Sequence, residues 1–97
     1  MIEGKTSSGF EFKIDEKLLE DFLFMRAFKR ANSSDPEEQV TGTVDLVRIM
    51  FNDEAEEERY YKHLAKQHGG RVPADIIGKE LGEIINVANS TDEETKN

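Results

Sequence analysis

The 97-residue chain contains no cysteine, no tryptophan and only two prolines. Without cysteine there can be no disulfide framework, no thiol nucleophile and no cysteine-based metal site. Basic residues are also in short supply. Thirteen Lys and Arg stand against 21 Asp and Glu, giving a net charge of -8. A duplex or any phosphate-rich surface repels such a molecule, and its basic residues are scattered, so no nucleic-acid partner is expected. No stretch reaches the length of apolar sequence that crosses a bilayer, so no membrane partner is expected either. The opening MIEGKTSSG has no apolar run after a basic start and does not read as a secretory signal. The expected location is the cytoplasm.

What is present is a foldable chain. Hydrophobic residues make up 36% and charged residues 35%. The apolar residues are clustered and periodic, which suits one domain with a modest core. Phe10, Phe12 and Ile14 alternate with Glu11 and Lys13, the period-two pattern of a half-buried strand. Ser7-Ser8-Gly9 supplies a turn, so residues 1–14 read as a β-hairpin or strand pair. Asp15 is a candidate cap for a first helix over 16–31. On that helix Leu18, Leu19, Phe22, Leu23 and Met25 share one broad face, with Phe24 and Phe28 nearly opposite.

Asp35-Pro36-Glu37-Glu38 is a strong start signal for a second helix reaching about Phe51. Its stripe is Val40, Val44, Val47 and Phe51, flanked by Leu46 and Met50, with Ile49 facing away. Gly42, unfavourable inside a helix, points to close packing there or to a weak first turn. Asn52-Asp53 caps a third helix reaching about His68, acidic at its start and basic at its end, with Tyr61, Leu64, Ala65 and His68 as the inner stripe. Gly69-Gly70 stops it through a left-handed cap. A fourth helix runs from about Pro73 to Ala88 on Ile77, Leu81, Ile84, Ile85 and Ala88. The expected fold is mainly α. It is a bundle of about four helices with a short N-terminal hairpin, a single domain over 1–89, and a disordered polar tail over 90–97.

Candidate chemistry is sparse. Gly4-Lys5-Thr6 matches the end of a phosphate-binding loop, but only three residues precede Gly4 and the motif needs more. His63 and His68 lie about 140° apart around a helix, which is poor geometry for a shared metal. His68 reads instead as a partly buried structural residue. The run Asp53 to Glu58 lacks the alternation and central glycine of a calcium loop. No catalytic residue, metal or cofactor is assigned. The helix that is apolar on both sides remains. Such a helix is either enclosed by its own domain or covered by another chain. Phe24 and Phe28, with Leu23 and Ile49, are therefore the candidate partner-binding residues, as aromatic anchors ringed by charge.

Taken in order, SSGFEFKI, DEKLLEDFLFMRAFKRA, VDLVRIMF and HGGRVPADIIGKELGEII with a polar tail resemble the tail assembly chaperones of long-tailed bacteriophages. The resemblance covers nearly the whole chain. Its most telling part is Gly70-Arg71-Val72-Pro73 leading into Ile77, Leu81 and Ile84. It implies a non-enzymatic role in the host cytoplasm. Such proteins coat the tape measure protein, a long helical rod, before the tail tube protein polymerises around it, and they tend to self-associate. Many have a longer form made by a backward ribosomal slip. Thr95-Lys96-Asn97 can be encoded as ACA-AAA-AAC, which contains a slippery run, so the chain reads as the short product. The alternative is a small acidic regulator, either a DNA mimic or an inhibitor of a host protein.

Overall fold

The computed structural model describes the backbone of residues 1–96 and the side chains of residues 1–90. Strands β1 (Ile2–Lys5) and β2 (Glu11–Ile14) pair antiparallel, Ile2 opposite Ile14 and Gly4 opposite Phe12. A 3-10 segment, Glu16–Glu20, precedes helices α1 (Phe22–Ala31), α2 (Pro36–Phe51), α3 (Glu54–Gln67) and α4 (Ala74–Lys96). The mainly α architecture with an N-terminal hairpin is the one the sequence predicts. Helix α4 runs past the end expected near Ala88 to Lys96, through most of the stretch expected as a polar tail over 90–97, of which the side chains of 91–97 lie outside the described residues.

Each local element has an identifiable cause. The hairpin closes with Thr6 N–H donating to the Phe10 carbonyl at 2.9 Å, and with Gly9 at φ +91° where a side chain would be strained. Asp35 accepts from Glu37 N–H at 3.1 Å and Pro36 opens α2. Asn52 ends α2 in the left-handed region, and Asp53 at once caps α3 by accepting from Ala55 N–H at 2.9 Å. Gly69 and Gly70 both have positive φ, and Gly70 N–H returns to the Ala65 carbonyl at 2.8 Å, the six-to-one bond of a Schellman cap.

Two expectations need correction. The first helix is not continuous. Asp15 caps only the 3-10 segment, and Asp21 then caps α1 afresh, accepting from Leu23 N–H at 2.8 Å. The 3-10 turn has three residues per turn, so the helical phase set by Leu18 does not carry over into α1. The stripe of α3 is also rotated by one residue. Tyr60 and Leu64 are fully buried, Tyr61 and Ala65 lie at the margin, and His68 is exposed at the helix end rather than facing inward.

The core sits between the sheet and the helices. Ile2, Phe10, Phe12 and Ile14 from the hairpin meet Leu46, Val47, Met50 and Phe51 of α2, Tyr60 and Leu64 of α3, and Ile77, Leu81, Ile84 and Ala88 of α4. Phe10 lies at its centre. Its ring is 4.8 Å from Tyr60 and 5.7 Å from Phe51, in the tilted and edge-on arrangements that aromatic quadrupoles favour. Helix α1 packs chiefly on α2. The two helices meet where α2 has no side chain. A Cβ on Gly42 would lie 2.6 Å from the Arg30 carbonyl carbon and 2.7 Å from Arg30 Cβ.

Gly42→Ala sets two effects against each other. Helix propensity favours alanine by about 1 kcal/mol. The clash is with backbone, which cannot swing aside, and overpacking of this kind costs roughly 1–3 kcal/mol or more. The clash wins, so G42A should lower the urea midpoint without changing the slope. An unchanged or higher midpoint would show that the crossing is looser than described.

Candidate functional site

Two groups of residues are not explained by packing alone. One is a polar cluster on the turn side of the hairpin. Glu80 lies on the inner stripe of α4 with Ile77, Leu81 and Ile84, and is only 1% exposed. Its Oε1 accepts from Tyr60 Oη at 3.0 Å and from Ser8 Oγ at 3.0 Å, and its Oε2 accepts from Ser8 N–H at 2.9 Å. Glu83, one turn along, accepts from Ser7 N–H at 2.8 Å. His63 Nε2 lies 3.0 Å from the Ser8 carbonyl and 3.2 Å from Ser8 Oγ.

Ser8, His63 and Glu80 are the residue types of a nucleophilic triad, but they are wired differently. In a triad the histidine takes the serine proton and the carboxylate orients the histidine. Here the Ser8 hydroxyl donates to Glu80. His63 Nε2 faces a carbonyl oxygen, which calls for a protonated nitrogen, and among the described residues no carboxylate bonds its Nδ1. The arrangement is a clamp in which the buried acid is satisfied by donors from two other elements. Among the described residues no buried side-chain nitrogen or oxygen lacks a partner. No group of His, Cys, Asp or Glu among them could hold a metal ion.

The second group is the outer surface of α1. The sequence-predicted contact residues divide here. Phe24 is 5% exposed and belongs to the core, so its assignment as a surface anchor is corrected. Once Asp21 restarts the helix, Phe24, Ala27 and Ala31 are the residues that turn toward α2. Phe28 stacks on Phe24 at 6.0 Å between ring centroids, yet it remains 42% exposed because it lies one turn beyond the core edge. Leu23 is 50% exposed. Ile49 is half-buried and lines, with Leu23, a groove of about 480 Å³ that also touches Leu18 and Met50.

Sequence reasoning missed two exposed apolar residues of α1. Phe22 is 74% and Met25 48% exposed, although the assumed continuous helix grouped both with Leu18 and Leu19 on the face opposite Phe24 and Phe28. Val40 and Val44 of α2 are exposed too, on the stripe whose continuation, Val47 and Phe51, is buried. The signal was the second acidic cap: Glu20-Asp21 before FLFM is a helix start in its own right. Glu80 was equally legible, since it falls three residues after Ile77 on the apolar stripe. Among the described residues no helix is long and apolar enough to cross a membrane. No protein-family model matches the chain, and no curated protein or solved structure matches it significantly.

The clamp generates two predictions. Glu80→Ala leaves the buried Tyr60 Oη and the part-buried Ser8 N–H without their acceptor, and an orphaned buried group costs about 1–3 kcal/mol. E80A should therefore be among the most destabilising single changes at any polar residue, while exposed Glu58→Ala stays within roughly 0.5 kcal/mol of wild type. Equal denaturation midpoints for the two would sink the clamp. The second prediction concerns alkali. Burial first, and then the Glu80 charge and hydrogen bond, push the Tyr60 phenol far above its usual range. Burial and the Glu57 hydrogen bond push Tyr61 up to about 12. Both phenols hold their protons more tightly folded than unfolded, so this contribution is intact below about pH 10 and is lost as pH rises from there. Stability should fall with pH in that window, less steeply in Tyr60→Phe, as followed by denaturation across a pH series.

Proposed function

We propose that the chain is a non-enzymatic helper that binds an apolar helical partner reversibly and keeps it soluble, as the resemblance to tail assembly chaperones implies. On this reading the client is a tape measure protein in the host cytoplasm, with the tail tube protein and further copies of the chain as additional partners. The observation that supports it is the set of large side chains left outside on one ten-residue helix: Phe22, Leu23, Met25 and Phe28. Fully covering a side chain of this size is worth roughly 1.5–3 kcal/mol. A helix laid against α1 would recover part of that for several residues at once, in the helix-in-groove manner. The excess negative charge elsewhere keeps loaded complexes apart.

The alternative of a DNA mimic asks for carboxylates along one side and little exposed apolar surface, and α1 has the opposite character. Co-expression is the direct test. The wild-type chain should raise the soluble yield of a tape measure protein. The double change Phe22→Ser and Met25→Ser should lower that yield several-fold while leaving the chain's own unfolding midpoint in place, because both side chains are exposed. Phe24→Ala should instead destabilise the fold itself by about 3–5 kcal/mol. An undiminished yield with the surface pair changed would overturn the reading.

A further inference from the structure

Helix α1 differs from every other helix in the chain by charge. Its sequence, FLFMRAFKRA, holds Arg26, Lys29 and Arg30 and no acid. Three of the chain's 13 basic residues lie in these ten positions, leaving ten basic residues elsewhere against 21 acidic ones. By contrast α2 opens with Glu37 and Glu38, and α3 with Glu54, Glu56 and Glu57. Cations near a helix C-terminus complement the dipole, which accounts for Lys29 and Arg30. It does not account for Arg26 in mid-helix or for the absence of any acid.

Placement sharpens the point. Arg26 and Lys29 are exposed, and among the described residues neither is within ion-pair distance of a carboxylate. Arg30 does have a partner, Asp45 of α2, at 3.8 Å. Asp21, at the other end of α1, is committed to Leu23 N–H. Arg26 lies four residues after Phe22 and Lys29 four after Met25, so each cation stands one turn along the same row as an exposed apolar side chain. The outer side of α1 is thus apolar in its first turn, and in its second Arg26 and Lys29 flank the part-exposed Phe28. Leu23 continues the apolar part into the groove it shares with Ile49.

We infer that this face docks an acidic amphipathic helix: one with an apolar stripe for Phe22, Leu23, Met25 and Ile49, flanked by Asp or Glu for Arg26 and Lys29. The inference rests on the reading above, that the chain shelters an apolar helix, and adds which helices it selects. An anionic lipid surface offers the same charge sign, but it must also approach a protein whose remaining surface is strongly acidic. A single helix can occupy the α1 face alone. At physiological salt, charges beyond about 8 Å are screened, so a helix lying on α1 feels Arg26 and Lys29 more than the distant carboxylates.

The test exploits a conflict of sign. The chain as a whole carries -8 and would prefer a cationic ligand. The α1 face prefers an anionic one. Two synthetic helical peptides of about 20 residues, roughly 30 Å long, would share one leucine stripe and differ only in carrying Glu or Lys beside it. Titrated against the full chain at physiological salt, the Glu peptide should bind at least about tenfold more tightly, a difference of about 1.4 kcal/mol. The difference should shrink with added salt. Arg26→Gln with Lys29→Gln should abolish it, and R26E/K29E should reverse it, with helical content and melting unchanged in both.

Equal binding of the two peptides, or a preference for the Lys peptide by the wild type, overturns the inference and leaves the shelter reading standing. If neither peptide binds, both fall. If peptide preference is absent while R26E/K29E alters the sedimentation of the chain alone, the face belongs to a second copy. If instead it abolishes pelleting with phosphatidylglycerol vesicles, the face belongs to a lipid surface. Either result refutes the acidic helix.

Discussion

A carboxylate placed on the apolar stripe of a helix is costly unless every acceptor position is met. Glu80 meets this condition with groups from far away in the chain, the Ser8 backbone and hydroxyl and the Tyr60 phenol. The hairpin has only four-residue strands and could not persist alone in water. Glu80 and Glu83 hold its turn, and Phe10 follows directly into the aromatic nest of Phe51 and Tyr60. Once the hairpin is seated, Ile2, Phe12 and Ile14 provide the floor on which α2 and α4 pack. The clamp thus turns two marginal strands into core.

The surface follows from how that core is spent. Helices α2, α3 and α4 and the hairpin fill most of it, and α1 joins from outside through its contact with α2. That contact is closest where Gly42 meets the Arg30–Ala31 backbone, which lets the two helix backbones approach. Only Phe24 among the large residues of α1 gains a fully buried place. Phe22, Leu23, Met25 and Phe28 outnumber the positions available. Val40 and Val44 of α2 are likewise left exposed.

Much of the fold was legible because local signals agreed with one another. The alternating FEFKI, the Asp-Pro start of α2, the paired glycines after α3 and the stripe of α4 each had one physical reading, and each element starts or stops at those signals, although α4 runs on past Ala88 to Lys96. Gly42, costly inside a helix, left close packing or a weak first turn open, and the structure shows close packing. The candidate surface was harder. Its existence could be read from the excess of apolar residues between Leu18 and Phe28, but which side faces out depended on helical phase, and one 3-10 turn reset it. With the helix restarted at Asp21, Phe24 is buried and Phe22 exposed. Tertiary wiring such as Ser8 to Glu80, 72 residues apart, leaves no mark in spacing. Only the acid on an apolar stripe hinted at it.

The dependence of α1 on a single neighbour has a thermodynamic corollary. Proteins open in parts, and the parts least tied to the rest open at the lowest free energy. Tearing out the hairpin would break the Glu80 bonds and empty the aromatic nest together, whereas lifting α1 away breaks chiefly its seam with α2. In that raised state Phe24 and Ala27 would join the residues already outside while α2, α3, α4 and the sheet stay assembled. Such a local excursion would uncover further apolar surface without global unfolding.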